Sequence, residues 1–137
     1  MKKRIIFGAL FIGLMLFWQY FLKGYAMLPS VDRFVGSFYA QYNHRDFSYI
    51  YNILSHQKIR SRLNPDQFQS MMQDTYAKLG SVKKRKRVEW KRWRTKDGTF
   101  FLIEYKAKRT RINSVDKFVL IKQKKDWFMF DYVIRAS

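Results

Sequence analysis

Residues 79–105 read LGSVKKRKRVEWKRWRTKDGTFFLIEY, and the chain changes its period inside them. Upstream, apolar residues recur at three- and four-residue spacing; downstream they recur at every second residue. Gly80 sits where the change occurs, in the place of a residue that ends a helix by taking positive φ. Lys96-Asp97-Gly98 is a hairpin turn, because Asp-Gly tolerates the backbone angles that a tight turn demands. Before it, Val82 to Arg94 forms a basic strand holding Val88, Trp90 and Trp93. After it, Phe101, Ile103, Tyr105 and Ala107 alternate with Leu102, Glu104, Lys106 and Lys108.

Working towards the C-terminus, Asn113-Ser114 marks a turn. Val115, Val119 and Ile121 then interleave with Phe118 and Leu120. Lys124-Lys125-Asp126 turns again, and Trp127 to Arg135 reads as a last strand with apolar residues on both faces. Four strands with short turns predict an antiparallel meander. On the N-terminal side, Ser30 or Asp32 is placed to cap a helix carrying Val31, Phe34, Val35, Phe38 and Tyr42. Asp46 caps a second helix with Phe47, Ile50, Tyr51 and Leu54. Asn64-Pro65-Asp66 starts a third: Asn accepts from free N–H groups, Pro suits the first helical position, and Asp favours the positive end of the dipole. Helices followed by a meander predict an α+β domain with three helices on one face of the sheet.

Residues 5–22, IIFGALFIGLMLFWQYFL, carry no charge and follow Lys2-Lys3-Arg4. As a helix they would span about 27 Å, near the thickness of the hydrocarbon core. Trp18 and Tyr20 fall where interfacial aromatics belong. We expect a single-pass anchor and tether over 1–29 and an α+β domain over 30–137. A cleaved signal peptide is the rival reading, since Gly24-Tyr25-Ala26 supplies small residues for cleavage. The basic flank places the N-terminus in the cytoplasm and the domain outside; in a Gram-negative cell this means the inner membrane and the periplasm.

The segment 46–82, together with the ending Lys125, Trp127, Phe128, Tyr132 and Ile134, resembles small anchored or exported bacterial domains of unknown function. Its motif residues are Asp46-Phe47, Ile50, Leu54-Ser55, Asn64 to Phe68 and Leu79-Gly80-Ser81-Val82. These domains have the cystatin-like or nuclear transport factor 2-like fold. The resemblance covers about residues 31–135 and implies a curved four-stranded meander with helices on it. The superfamily holds isomerases, dehydratases and structural domains, and also the bitopic scaffold subunit of type IV secretion systems. Fold therefore does not set activity.

The chain has 137 residues and no cysteine, so one domain is expected and thiolate chemistry is excluded. Its formal charge is +18, which favours anionic partners. The basic region Lys83, Lys84, Arg85, Lys86 and Arg87, continued by Lys91, Arg92 and Arg94 and interleaved with Trp90 and Trp93, is the candidate surface for nucleic acid, anionic lipid or an acidic protein. It also serves as a solvated strand whose charges discourage edge pairing. A second surface is expected on the last strand, where Trp127, Met129 and Val133 form an apolar face for another subunit.

Catalytic material is sparse. Asp131, and after it Glu104, could act as a base if held between sheet and helices, where desolvation raises a carboxyl pKa. His44 and His56 have no second ligand at metal spacing, and no metal or cofactor is expected. The reading is a membrane-anchored, non-catalytic accessory protein that docks on a larger membrane complex or on itself. An envelope polyanion or DNA module of a secretion, conjugation or uptake system is the first alternative, and an isomerase-like enzyme the second.

Overall fold

The computed structural model describes the backbone of residues 2–137 and the side chains of residues 14–19 and 22–137. It is an α+β fold, with helices packed on a four-stranded antiparallel sheet of order β1-β2-β3-β4. The strands are β1 (Val82–Thr95), β2 (Gly98–Arg109), β3 (Ser114–Gln123) and β4 (Asp126–Ala136).

Helix α1 runs unbroken from Lys2 to Asn43, through the expected tether. Pro29 lies inside it. Ser30 and Asp32 do not cap a helix; both reach other elements. The Ser30 hydroxyl donates to the Met27 carbonyl and accepts from the indole Nε1 of Trp127 at 3.0 Å. The Asp32 carboxylate accepts from Arg87 and from Tyr105. The run Ile5–Leu22 lies for the most part outside the residues whose side chains are described. Among the described residues, no helix is long and apolar enough to cross a membrane.

Helix α1 ends at Asn43, and the Arg45 backbone then takes φ 59°. Asp46 caps α2 (Phe47–Tyr49), its carboxylate accepting from the Tyr49 N–H at 3.1 Å. The chain continues as a π-helical turn over Ile50–Leu54. A short helix α3 (Gln57–Arg62), which the periodicity did not announce, follows. Helix α4 (Pro65–Leu79) starts and stops as expected. Asn64 and Gln67 bond each other's backbone in a reciprocal cap, and Gly80 takes φ 84°. A Cβ on Gly80 would collide with the Thr110 hydroxyl, so the position requires glycine twice over.

The core lies between α1 and one face of the sheet. Val31, Val35, Phe38 and Tyr42 of α1 meet Phe101, Ile103, Phe118, Leu120 and Met129 of the strands. Phe47, Ile50, Phe68 and Met72 close the far side. Each such side chain contributes about 1.5–3 kcal/mol by leaving water.

Three register shifts decide which side chains face outward. Lys83 in β1, Val88 in β1 and Phe130 in β4 are each an extra residue, a β-bulge that reverses the alternation beyond it.

Candidate functional site: the open sheet face

The bulge at Val88 sorts the basic strand into two sets. Arg85 and Arg87 lie beside Ala107 and Tyr105, on the face that α1 covers. Arg87 pairs with Asp32 at 2.8 Å, and the Arg85 guanidinium stands 5.3 Å from the Tyr39 ring and 5.7 Å from that of Tyr105. Beyond the bulge, Trp90 and Arg92 take that same face, opposite Ile103 and Phe101. Trp90 stacks on Phe101 with centroids 5.4 Å apart, and Arg92 is buried. These four members of the expected binding segment are thus turned towards α1 and the core.

Lys84, Lys86, Lys91 and Trp93 face the other way, onto the open side of the sheet. Lys84 stands opposite Lys108, and Lys86 opposite Lys106. Arg135 extends the second row across Val115. Lys84, Lys86, Lys106 and Lys108 line a groove of about 540 Å³ together with Asn113 and Val115. Lys83 is the exposed bulge residue at the start of the strand, and Arg94 lies exposed near the first hairpin turn.

At its other end the open face is aromatic. Trp93, Phe100, Ile121 and Phe128 are successive cross-strand partners, one from each strand. Trp93 lies flat on Phe100 at 5.4 Å and 5°, and Phe130 meets Phe100 edge-on at 5.1 Å. Phe100 and Ile121 are buried although they lie outside the core cluster beneath α1. Lys58 crowns the cluster, its Nζ 4.1 Å from the Phe130 ring. His56 also packs on Phe130, and burial followed by the charge of Arg60 holds its imidazole below the usual range.

The expected subunit surface on the last strand needs correction. Trp127 and Met129 belong to the helix-covered core, at 8% and 0% exposure, while Val133 is 48% exposed on the open face. The bulge at Phe130 separates them. The open face of β4 carries Phe128, Phe130, Asp131, Val133 and Arg135.

The two carboxylates considered for catalysis also face outward. Asp131 pairs with Val119 and accepts from the N–H of Tyr132 at 2.9 Å. Glu104 stands between Glu89 and Lys117. Glu104 does not lie between sheet and helices, whereas Asp131 is half-buried and lines a groove of about 450 Å³ with Ile59 and Arg62 of α3 and Met71 and Thr75 of α4. Among the described residues no cluster of three metal-ligating side chains forms.

What does lie inside is a polar knot that the sequence reading missed. Arg109 and Asp116, both fully buried, pair at 2.9 Å. The Asp116 carboxylate also accepts from the Tyr39 hydroxyl at 2.5 Å and from Ser114 at 2.7 Å. Arg109 donates to Ser114 at 2.6 Å and to the Gly80 carbonyl at 3.3 Å. Burial, and then the Asp116 charge, push the Tyr39 hydroxyl far above its ordinary pKa. With every partner satisfied, the knot joins α1, the end of α4 and the β2–β3 connection; it is a structural clamp. The available signal was parity, since Asp116 shares its face of β3 with Phe118 and Leu120.

No known family model matches this chain, and no curated protein matches it.

Proposed function

We propose that this chain is a membrane-anchored, non-catalytic accessory protein. Its α+β domain stands outside the cytoplasm and docks, by the open face of its sheet, on a larger membrane complex or on a second copy. The observation that carries this reading is the continuity of α1. Leu14, Met15, Leu16, Phe17 and Trp18 are each 49–64% exposed, and five consecutive helical residues point in all directions around the axis. An apolar surface on every side of a helix calls for lipid or a protein interior. The same helix then supplies Leu28, Val31, Val35, Phe38 and Tyr42 to the core. The basic flank Lys2–Arg4 orients it with the N-terminus in the cytoplasm of a bacterial inner membrane.

Within this reading the domain is of the cystatin-like or nuclear transport factor 2-like kind. The order of helices and meander supports that assignment, and the fold alone confers no reaction. The aromatic row Trp93–Phe100–Ile121–Phe128, with Phe130 beside it, offers an apolar centre with a charged rim, which suits protein contact. Affinity isolation from detergent-solubilised membranes tests the docking. The wild-type chain should retain a membrane-protein partner or a second copy, and Trp93→Ala with Phe130→Ala should lose it. Retention unchanged by both substitutions would remove the open face from the account.

A second reading, a polyanion-binding module, is favoured by the opposed lysine pairs.

A further inference from the structure

We propose that the two lysine pairs on the open face, Lys84 with Lys108 and Lys86 with Lys106, form a binding site for an anion carrying closely spaced phosphates. Like charges directly opposite one another on paired strands destabilise a sheet. Here two such pairs stand in succession, lining one groove with no acidic side chain in its wall among the described residues. A bound anion relieves that repulsion.

The choice of residue points to phosphate. The arginines of the same strand segment, Arg85 and Arg87, are turned to the other face and engaged with α1. The charged residues that β1 and β2 turn onto the open face here are lysines, with Arg85 also bordering the groove. A planar carboxylate is best met by the guanidinium fork, whereas the lysine ammonium is a compact point charge suited to a tetrahedral anion. Opposed Cβ atoms are about 5 Å apart, so both ammoniums of a pair can close on one phosphate. The next pair lies two residues along, about 7 Å away. Arg135 adds a charge at the end of the second row. The following row, Glu89 opposite Glu104, is acidic and bounds the site. The groove therefore holds two or three phosphates and is not a long track.

The source is a soluble molecule. Trp90 packs on Gly24 of α1, and Arg85 lies against Gly36. Twelve helical residues separate those levels, about 18 Å. Surface potentials fade within about 8 Å at physiological salt, so headgroups of the bilayer that would hold α1 do not reach the lysines. This exclusion rests on the anchor reading; the phosphate chemistry does not. The remaining sources are the phosphodiester backbone of single-stranded nucleic acid and linear polyphosphate.

The test uses the full chain in nanodiscs of zwitterionic lipid and the fluorescence anisotropy of a labelled oligo-dT. Linear polyphosphate, polyglutamate and anionic vesicles serve as competitors. The expected result is binding whose logarithm falls with log salt at a slope of about −1.4 to −2, set by two or three phosphates. Lys106→Gln with Lys108→Gln should weaken it about tenfold or more, with an unchanged or raised Tm. Lys124→Gln with Lys125→Gln, at the opposite end of the sheet, should change it less than about twofold. Competition by polyphosphate supports the site, and its strength relative to the oligonucleotide assigns the source. Equal loss in both double variants, equal competition by polyglutamate or by vesicles, or no binding at low salt overturns the proposal. Release of the chain by alkaline extraction would defeat the anchor and leave these results standing.

Discussion

Gly24 of α1 lies against the indole of Trp90 in β1: a methyl group on its Cα would stand 2.5 Å from the ring atom Cζ3. The apolar run ends at Leu22, so a single residue separates it from Gly24, the first buried position of α1 among the described residues. The domain and the segment that precedes it are one continuous helix, with no tether between them.

Gly24→Ala should therefore lower the thermal midpoint. In an open helix the change is worth about 1 kcal/mol in favour of alanine. Here the indole is held by Phe101, stacked at 5.4 Å, and by Tyr25, edge-on at 5.3 Å, so it has little room to yield. Overpacking at such a contact costs about 1–3 kcal/mol and outweighs the propensity. A raised midpoint would mean that α1 does not seat on Trp90.

The buried pair makes the sharpest stability claim. Asp116→Ala leaves the Arg109 charge buried without its carboxylate, and should cost about 3–5 kcal/mol. Tyr39→Phe removes one hydrogen bond to a charged group and should cost about 1.5–3 kcal/mol. Urea denaturation measures both. A loss below about 1 kcal/mol for Asp116→Ala would show that the clamp is not formed.

His56 gives the domain a pH dependence. Its Nδ1 accepts from the Lys58 N–H at 3.1 Å, capping α3 in the neutral form. Burial and the charges of Arg60 and Lys58 depress its pKa, against the bond with Gln123 that raises it. The unfolded chain then binds the proton more readily than the folded one. The contribution is fully present above the unfolded value of about 6.5 and is lost as pH falls through the lower folded value. Stability measured from pH 7.5 down to 5 should decline, and His56→Asn, which still caps, should flatten that decline. An identical slope in the variant would assign the dependence to other groups.

The faces of β4 can be read by substitution. Met129→Ala should cost about 2–5 kcal/mol as a core truncation. Val133→Ala should cost less than about 0.5 kcal/mol as an exposed one. Equal effects would contradict the bulge at Phe130.

Much of this fold is legible in the sequence because punctuation and period agree. Asn64-Pro65, Gly80, Asp97-Gly98 and the alternation in β2 mark local choices, and each fixes a boundary found in the structure. What escaped depends on tertiary pairing. A bulge adds one residue with no required sequence sign, and it reverses every assignment of face beyond it. Val88 turned Trp90 and Arg92 inward, and Phe130 put Met129 in the core. The expected tether is helical because Ser30 and Asp32 are only local capping signals, while burial of Gly24 and Leu28 against the domain keeps the helix intact through Pro29. The basic segment was recognised as a unit, but its partners Lys106 and Lys108 come from β2 and are found only through the register.

The anchored reading is tested most directly by alkaline extraction of membranes from cells making the full chain, combined with protease added outside the inner membrane. The chain should stay in the membrane pellet, and the protease should remove the α+β domain. Release of the chain into the alkaline supernatant, or a domain protected from the protease, would contradict it.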